Sequence, residues 1–341
     1  MKPEKFKAAI YKDIGRVDFT EIPYPQCGDN DIIVKNIIAG ICGSDVAAFN
    51  EGGDANMIWK DSEFGHEMVS EVVEIGKNVK DIAIGDYIFP NMGQAKRDRM
   101  RMATVGGFSE YIHIPQFELG YSGIKIEKNI PLEYSVLLEP FVVGTRGTKN
   151  TNPGPGKTAI VFGAGIIGLA AAIMFKWYGC DKVMIVDISD YRLENASKFG
   201  LITCNPQKED LKAKAIAEFG SQRCYTGEVC GANLYVDALG VNNSIDYFTQ
   251  IAGRNAFISV VGVHHHPMAF DFIKVAFNNW YISGSGNGSY EEIAVDVIEM
   301  MRSGKFDLSI LVSHKYQQND IVEGLKMASD PKVSQKVVVL Y

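Results

Sequence analysis

Residues 158 to 175 read TAIVFGAGIIGLAAAIMF, a short apolar strand that turns through three glycines into an apolar helix. The glycines have the spacing GxGxxG, and Asp187 ends the next apolar run about 20 residues further on. Glycines at this position permit a tight turn and let a pyrophosphate approach the backbone, where the start of the helix offers unpaired amides. The stretch therefore predicts a dinucleotide-binding Rossmann unit with a doubly wound parallel sheet.

The expected cofactor is NAD. Asp187 would accept hydrogen bonds from the adenosine ribose, and its charge would repel the 2′-phosphate of NADP. Arg192 lies five residues later and is the one nearby feature that would suit that phosphate. The residues predicted to bind the dinucleotide are Gly163, Gly165, Ile166, Ile167, Gly168, Asp187 and Arg192.

The chain contains two regions with different patterns of apolar residues. From 158 to about 282, apolar runs alternate with helical stretches, which indicates βαβ units. Before about residue 125, runs such as DIIVKNIIA are bounded by Gly, Asn, Asp or Pro, which is typical of a β-rich domain. The final run, QKVVVLY, needs a sheet to join, and we expect the N-terminal domain to supply it. The predicted domains are 1–147 with 284–341, and 148–283.

Length and composition narrow the possible partners. The 341 residues exceed what one hydrophobic core usually serves, which agrees with two domains. A formal charge of −7 argues against nucleic acid or an anionic membrane as the main partner. The N-terminus has no apolar signal region, and the six cysteines are dispersed, so reduced thiols and a cytoplasmic location are expected.

Three short motifs carry candidate metal ligands. GICGSD contains Cys42, GHE contains His66 and Glu67, and LLEP contains Glu139. One thiolate, one imidazole and one carboxylate form the ligand set of a catalytic zinc, which keeps a fourth position open. Neighbouring residues of a regular strand point to opposite faces, which favours Glu139 over Glu67 as the third ligand unless the strand is bent.

The motifs GICGSD, GHE, GDYIFP, GGFSEY, LLEP and VFGAGIIG occur in this order and spacing in the zinc-dependent medium-chain alcohol dehydrogenases. The sequence resembles this family over nearly its whole length, and it is most similar to the polyol, sorbitol-like and threonine dehydrogenase branch. The resemblance implies a GroES-like catalytic domain, a Rossmann coenzyme domain and one catalytic zinc. Members of that branch use the glutamate of GHE as a ligand, so the third ligand stays open between Glu67 and Glu139.

The resemblance also implies roles near the metal. Cys42 and His66 would hold zinc as a Lewis acid, Ser44 would take the proton of the alcohol, and Asp45 would orient His66. Ala47 stands where many members have a proton-relaying histidine. The segment NMGQAKRDRMRMATV, residues 91–105, has no cysteine where many members hold a structural zinc, so none is expected. Its basic run, KRDRMR, suggests a surface loop or subunit contact, or else a phosphate-bearing substrate.

The sequence thus predicts an NAD-dependent zinc dehydrogenase that interconverts a secondary alcohol and its ketone, most closely a polyol or sugar alcohol. Its family resemblance implies a homodimer or homotetramer. Two alternatives stay open, a zinc-free quinone or enone reductase of the same fold and a non-catalytic nucleotide-binding protein. The triplet His264 to His266 is expected to be a loop after a strand, because consecutive residues diverge and do not easily converge on one ion. In the resembled family this loop passes near the nicotinamide.

Overall fold

The computed structural model describes residues 2–91, 106–225, 227–286 and 288–341, and the chain separates into two compact units. Unit 1 comprises Met1–Glu139 and Met301–Tyr341, and unit 2 comprises Pro140–Met300. The sequence predicted domain limits at 147/148 and 283/284, and these limits stay a prediction.

The first part of unit 1 is β-rich, because β-branched runs alternate with glycine turns. Its strands β1 to β8 are Lys5–Asp13, Arg16–Pro23, Ile32–Gly40, Ser62–Glu63, Glu67–Ile75, Tyr87–Pro90, Tyr111–Ile114 and Gly123–Ile126. Its helices α1 and α2 are Gly43–Glu51 and Leu132–Ser135.

Unit 2 alternates strands and helices. Strands β9 to β16 are Thr158–Phe162, Lys182–Val186, Ile202–Cys204, Ser221–Cys224, Gly227–Cys230, Leu234–Asp237, Phe257–Val260 and Tyr281–Gly284. Helices α3 to α9 are Leu138–Asn150, Ile166–Trp177, Asp190–Ser197, Leu211–Phe219, Asn242–Ile251, Phe272–Asn278 and Tyr290–Ser303. Helices α3 and α9 contain the two points at which the chain passes from one unit to the other.

Six strands of unit 2 form one parallel sheet in the order β11-β10-β9-β14-β15-β16. From β9 the chain first adds β10 and β11 on one side and later adds β14, β15 and β16 on the other. The order therefore reverses between β9 and β14, which is the position where doubly wound sheets bind ligands at their carboxyl ends. The predicted α/β class with a doubly wound parallel sheet is confirmed.

The C-terminal segment belongs to unit 1. It contains β17, Val312–Gln317, then α10, Ile321–Ala328, and β18, Lys336–Leu340. Strand β18 pairs antiparallel with β3, with Val338 opposite Gly40, so the prediction that the last run joins the N-terminal sheet is confirmed. The sheet has the order β17-β18-β3-β5-β6-β8, with β7 also paired to β3, and β2-β1-β4 forms a second sheet.

Each unit has its own apolar core. The core of unit 1 lies between its sheets and helices α1 and α10, and the core of unit 2 covers a face of the parallel sheet. Representative core residues of unit 1 are Tyr11, Val34, Phe64, Phe108 and Leu325, and those of unit 2 are Ile160, Met184, Tyr235, Phe248 and Ile258. The strands of unit 2 read as continuous apolar runs because a parallel sheet is covered on both faces.

Helix α4, which follows the glycine loop, is the most apolar helix of unit 2. Its residues Gly168 to Phe175 are all buried, and it ends at Trp177 after 12 residues. At about 1.5 Å per residue such a helix is shorter than a bilayer core. Within the described ranges, no helix has the length and apolar character needed to cross a membrane.

Candidate metal centre and dinucleotide site

Three predicted ligands meet in unit 1. One donor atom from each of Cys42, His66 and Glu67 lies within 4.8 Å of the other two. Cys42 follows β3 and stands immediately before α1, whereas Glu67 is the first residue of β5. The two chain segments come together because Glu67 lies opposite Gly40 in the β3–β5 ladder. The cluster is therefore built by strand pairing.

Glycines allow His66 and Glu67 to reach the same cluster. Gly65 has φ of 90°, and β5 begins only at Glu67, so His66 lies before the regular strand. The alternation of faces that favoured Glu139 in the sequence does not apply to this pair. A Cβ at Gly40 would lie 2.3 Å from Glu67 Oε2, so the carboxylate occupies space that only glycine leaves open.

Asp45 is fully buried in the first turn of α1, behind the cluster. Its Oδ2 accepts the backbone N–H of Cys42 at 2.9 Å, and its Oδ1 lies 3.9 Å from Nδ1 of His66. Among the described residues, neither Oδ1 nor that Nδ1 has a hydrogen-bond partner. A small rotation of the imidazole would join them, and this is the contact by which a carboxylate orients a ligating histidine.

The electrostatics of the cluster are dominated by negative groups. Burial alone would lower the pKa of His66, but the charges of Cys42, Asp45 and Glu139 outweigh it and hold the pKa well above its usual range. Burial raises the pKa of Asp45, and His66 opposes that shift. Cys42 lies at the amino end of α1, next to the positive end of the helix dipole. This charge distribution suits a cation.

Lys336, which the sequence interpretation missed, supplies a positive charge next to the cluster. It is the first residue of β18 and is buried, with its Nζ 2.5 Å from Oε2 of Glu67 and 3.0 Å from the carbonyl oxygen of Ile41. Burial would lower its pKa, yet Glu67 and Cys42 raise it above the usual value. The feature of the sequence that could have pointed to this residue is a lysine at the start of an otherwise apolar terminal strand.

Glu139 lies nearby but outside the group of three converging ligands. It is buried in the first turn of α3, and its charge contributes to the raised pKa of both His66 and Lys336. Ser44 is half-buried in the first turn of α1, and Ala47 follows in the same helix. The basic run KRDRMR lies outside the described residues.

In unit 2 the glycine loop joins β9 to α4. Gly163 has φ of 103°, and a Cβ at Gly168 would lie 1.8 Å from the carbonyl oxygen of Gly163, so the loop folds tightly onto the start of the helix. Gly165 immediately precedes α4, and Ile166 and Ile167 form its first, half-buried turn. The loop has the glycine-lined form that pyrophosphate requires.

Asp187 and Arg192 flank the glycine loop. Asp187 accepts the backbone N–H of Ala164 at 2.7 Å and of Ser189 at 2.8 Å, so its carboxylate braces the loop. Arg192 lies on α5 with its Nη1 3.6 Å from the position of a Cβ on Gly165. Burial lowers the pKa of Arg192, and the charge of Asp187 opposes that shift.

Apolar side chains are exposed at the carboxyl ends of the same strands. Ile188, which follows Asp187, is 60% exposed, and Val263, beyond β15, is 70% exposed. Leu239 and Val241, beyond β14, are also exposed, and Leu239 lies next to Gly163. Apolar side chains of this kind commonly line the pockets of flat rings. This edge therefore places exposed apolar side chains beside the glycine loop.

A β-rich unit with a Cys–His–Glu cluster and a second unit with a dinucleotide loop define the class of two-domain dehydrogenases. Residues 28–120 match the family "Alcohol dehydrogenase GroES-like domain", and residues 167–303 match the family "Zinc-binding dehydrogenase". The chain belongs to the medium-chain dehydrogenase/reductase superfamily, among its zinc-type alcohol dehydrogenases. The resemblance and the GroES-like assignment made from the sequence are confirmed, and the class of reaction is the oxidoreduction of an alcohol.

Known relatives cover nearly the whole chain. The chain is 28% identical to the L-threonine 3-dehydrogenase of Aeromonas hydrophila over 94% of both sequences. Among solved structures it is similar to the 2R,3R-butanediol dehydrogenase of Bacillus subtilis, with a TM-score of 0.84, 22% identity and coverage of 98% and 99%. It is equally similar to the short chain alcohol dehydrogenase rspB of Escherichia coli CFT073 complexed with NADH, with a TM-score of 0.84, 22% identity and coverage of 99% and 100%. At these identities the two structures establish the fold alone.

Proposed function

We propose that the chain is a zinc-dependent, NAD-linked dehydrogenase that interconverts a secondary alcohol and its ketone, with a polyol or sugar alcohol as substrate. The observation that carries this proposal is the convergence of Cys42, His66 and Glu67 within 4.8 Å in a zinc-type dehydrogenase fold. This donor set fits one tetrahedral zinc with an open position for substrate.

Cys42, His66 and Glu67 would hold the ion. Glu139 would add a nearby negative charge without being a ligand. When bound there, zinc supplies Lewis-acid polarisation of the alcohol hydroxyl. Asp45, whose Oδ1 lies 3.9 Å from Nδ1 of His66, would orient the ring of that histidine, and Lys336 balances the charge of Glu67. We propose one catalytic zinc per chain and no structural zinc, since the segment 91–105 contains no cysteine.

Ser44 is the proposed proton acceptor of unit 1. It lies two residues after Cys42 in the first turn of α1 and is half-buried. A hydroxyl in this position can take a proton and pass it to water. Ala47 has no titratable side chain that could relay the proton. The proton would therefore leave through water or through the hydroxyls of the cofactor ribose. Ser44→Ala is expected to lower kcat with little loss of zinc.

NAD would bind at the carboxyl edge of the parallel sheet and would supply the hydride acceptor of the reaction. The pyrophosphate would lie on Gly163, Gly165 and Gly168, and the adenosine ribose on Asp187. Asp187 favours NAD by repelling a 2′-phosphate, whereas Arg192 beside Gly165 is the feature that would accept one.

The substrate proposal draws on the relatives. L-Threonine and 2,3-butanediol, named for two of them, are both secondary alcohols with a polar group on the adjacent carbon. Polyols share that arrangement, which supports a sugar alcohol or vicinal diol for this chain. L-Threonine is the second candidate, favoured by the relative that covers 94% of both sequences.

The decisive experiment combines zinc analysis with turnover. We expect about one zinc per chain and NAD-dependent oxidation of polyols, diols or threonine. Glu67→Gln should weaken zinc binding about 100-fold or more, whereas Glu139→Gln, a matched carboxylate, should weaken it about 10-fold or less. Protein that binds no zinc and reduces enones would overturn the proposal, and stronger zinc loss in Glu139→Gln would reassign the third ligand.

We also propose a homo-oligomer formed through unit 2. Strand β16 ends the parallel sheet and, in the described part of the chain, has β15 as its one strand neighbour. Its Tyr281 and Ile282 are exposed, and so are Phe272 and Phe277 of the preceding helix α8. An exposed apolar edge strand is a template for pairing with a second copy.

A further inference from the structure

A bulge in strand β3 decides which residue faces Glu67. Along the β3–β5 ladder the pairing shifts by one position at Ile37, directly after Asn36, so β3 has one residue more than β5 there. Because of this shift Glu67 lies opposite Gly40, whereas regular pairing would place it opposite Ala39. A Cβ at residue 40 would meet the carboxylate of Glu67, so the bulge brings this ligand to the position where a glycine leaves room for it.

Tyr341 contacts the bulge and a second segment at once. It directly follows β18, and its backbone N–H donates to the carbonyl oxygen of Ile37 at 3.3 Å. Its phenolic hydroxyl donates to the carbonyl oxygen of Gly107, in the segment 106–109 that reads GGFS. The main chain and the side chain of one residue therefore join the extra residue of β3 to this segment.

Buried side-chain amides hold the same segment. Nδ2 of Asn36, next to the bulge, lies at 3.3, 3.2 and 2.6 Å from three of its carbonyl oxygens, those of Gly106, Gly107 and Ser109. Nε2 of Gln318 donates to the fourth, that of Phe108, at 3.1 Å. Oδ1 of Asn36 accepts a hydrogen bond from Oγ of Ser70, in β5, at 2.6 Å. Asn36 therefore ties the segment to both β3 and β5.

The same segment fixes the chain that leads to His66. The N–H of Gly107 donates to the carbonyl oxygen of Gly65 at 2.9 Å, and the N–H of Phe108 donates to that of Phe64 at 3.0 Å. A Cβ at Gly107 would lie 2.8 Å from the carbonyl carbon of Gly65, and a Cβ at Gly65 would lie 2.7 Å from the ring of Phe108. The two segments therefore touch at the residue whose positive φ brings His66 to the cluster.

We propose that Tyr341 and Asn36 are positioning residues of the metal centre, which set the separation of the donor atoms of His66 and Glu67 through the bulge and the segment 106–109. This inference rests on the proposed zinc-dependent function. Neither residue belongs to the group of converging ligands, and both act through the backbone. A metal site needs its donor atoms held within about 0.5 Å of the productive geometry, so loss of one of these ties should weaken zinc binding.

Tyr341→Phe tests the hydroxyl without removing the ring. The variant keeps the N–H on Ile37 and loses the hydrogen bond to Gly107. Competition with a chromophoric chelator should give a Kd for zinc about 10-fold higher than in the wild type, as is typical when an outer contact of a metal ligand is lost. Cobalt(II) bound in place of zinc should show weaker d–d absorption, because these bands lose intensity when the coordination departs from tetrahedral.

Tyr24→Phe is the matched control. Tyr24 donates its hydroxyl to Oε1 of Glu74 at 2.8 Å, near the opposite end of β5 from Glu67. Its loss should lower Tm to a similar extent, while the zinc Kd and the cobalt spectrum stay those of the wild type.

Asn36→Ala is the second variant. It releases three carbonyl oxygens of the segment, so it should raise the zinc Kd by more than Tyr341→Phe does. If Asn36→Ala does not fold, Tyr341→Phe decides the inference on its own. A folded Asn36→Ala with the zinc affinity of the wild type would refute the role of Asn36.

Unchanged zinc affinity and an unchanged cobalt spectrum in Tyr341→Phe would overturn the inference. Equal weakening in Tyr341→Phe and Tyr24→Phe would also overturn it, because the effect would then be one of general stability. In both cases, wild-type protein with about one zinc per chain leaves the proposed function intact. Wild-type protein that binds no zinc refutes the proposed function itself.

Discussion

Nζ of Lys336 lies 2.5 Å from Oε2 of Glu67, and their side chains are only 2% and 1% exposed. The lysine comes from the last strand of the chain, and the glutamate comes from the strand that begins beside His66. Strand β3 lies between β18 and β5, and its last residue, Gly40, leaves the space through which the two side chains meet. The C-terminal strand is therefore part of the candidate metal centre.

Replacement of Lys336 by Met should destabilise the metal-free protein more than the zinc-loaded protein. Loss of one partner of a buried ion pair typically costs about 3–5 kcal/mol, because the other charge stays buried without compensation. Zinc on Glu67 would supply the missing positive charge. We expect the increase in Tm caused by zinc to be larger in Lys336→Met than in the wild type.

The double variant Lys336→Met with Glu67→Gln is the control for this prediction. It removes both charges, so the metal-free protein should recover part of the stability that Lys336→Met loses. Scanning calorimetry of the wild type, Lys336→Met, Glu67→Gln and the double variant, each with and without zinc, measures both effects. Equal destabilisation of the metal-free and zinc-loaded forms would contradict a ligand role for Glu67.

The elements that could be predicted from the sequence are those with a local signal. The glycine loop, its following helix and Asp187 depend on residues close together in the chain, and the structure forms the predicted strand, turn and helix with Asp187 directly after β10. Their binding of a dinucleotide stays a prediction. The meeting of His66 with Glu67 depends on the positive φ of Gly65, and no periodicity encodes that bend. The pairing of Lys336 with Glu67 spans 269 positions and needs the strand order, which single-sequence patterns leave open.

Replacement of Asp187 by Ala should shift cofactor preference toward NADP. The change removes the charge that repels a 2′-phosphate and leaves Arg192 beside the glycine loop. It also deprives the N–H groups of Ala164 and Ser189 of their acceptor, so kcat/KM with NAD should fall about 10-fold or more.

Asp187→Asn separates these two effects. The amide carries no charge and keeps one acceptor oxygen, so only one of the two N–H groups, of Ala164 or of Ser189, loses its acceptor. Steady-state kinetics with both cofactors should show a raised NADP-to-NAD ratio of kcat/KM in each variant and a smaller loss with NAD in Asp187→Asn. An unchanged ratio in both variants would show that Asp187 does not select the cofactor.

Alkylation of cysteines should report occupancy of the metal centre. Cys42 is half-buried at the amino end of α1, so in chelator-treated protein its sulfur should be accessible to iodoacetamide and react with it at pH 8. Added zinc should suppress this reaction by coordinating the sulfur. Peptide mass spectrometry measures the rate at each cysteine, and equal rates for Cys42 with and without zinc would contradict its ligand role.

The other cysteines are internal controls in the same spectra. Burial raises the pKa of Cys204 to about 11 and also raises the pKa of Cys180 and Cys230. Burial therefore disfavours the thiolate form of these three cysteines, so they should react slowly at pH 8 and faster as the pH rises. Half-buried Cys224 should react at a rate that zinc does not change.

If the proposed homo-oligomer forms through β16, replacement of Ile282 by Lys should convert it into monomers or smaller assemblies. A lysine on an exposed edge strand places a charge where a second copy would pair, and it is a common means by which proteins prevent such pairing. Ile282 is exposed in β16, so the variant should fold with little change in Tm. Sedimentation should give a mass of at least twice 37.6 kDa for the wild type and a smaller mass for the variant.

Ile84→Lys is the control, because Ile84 is an isoleucine of unit 1 that is even more exposed than Ile282 (70% against 46%) and lies far from β16 in the sequence. It should leave the mass unchanged. If Ile282→Lys keeps the wild-type mass, β16 is not the interface, and if the wild type is monomeric at 37.6 kDa, the homo-oligomer proposal fails. Loss of assembly in Ile282→Lys alone, with unchanged zinc content, would show that unit 2 mediates association independently of the metal centre.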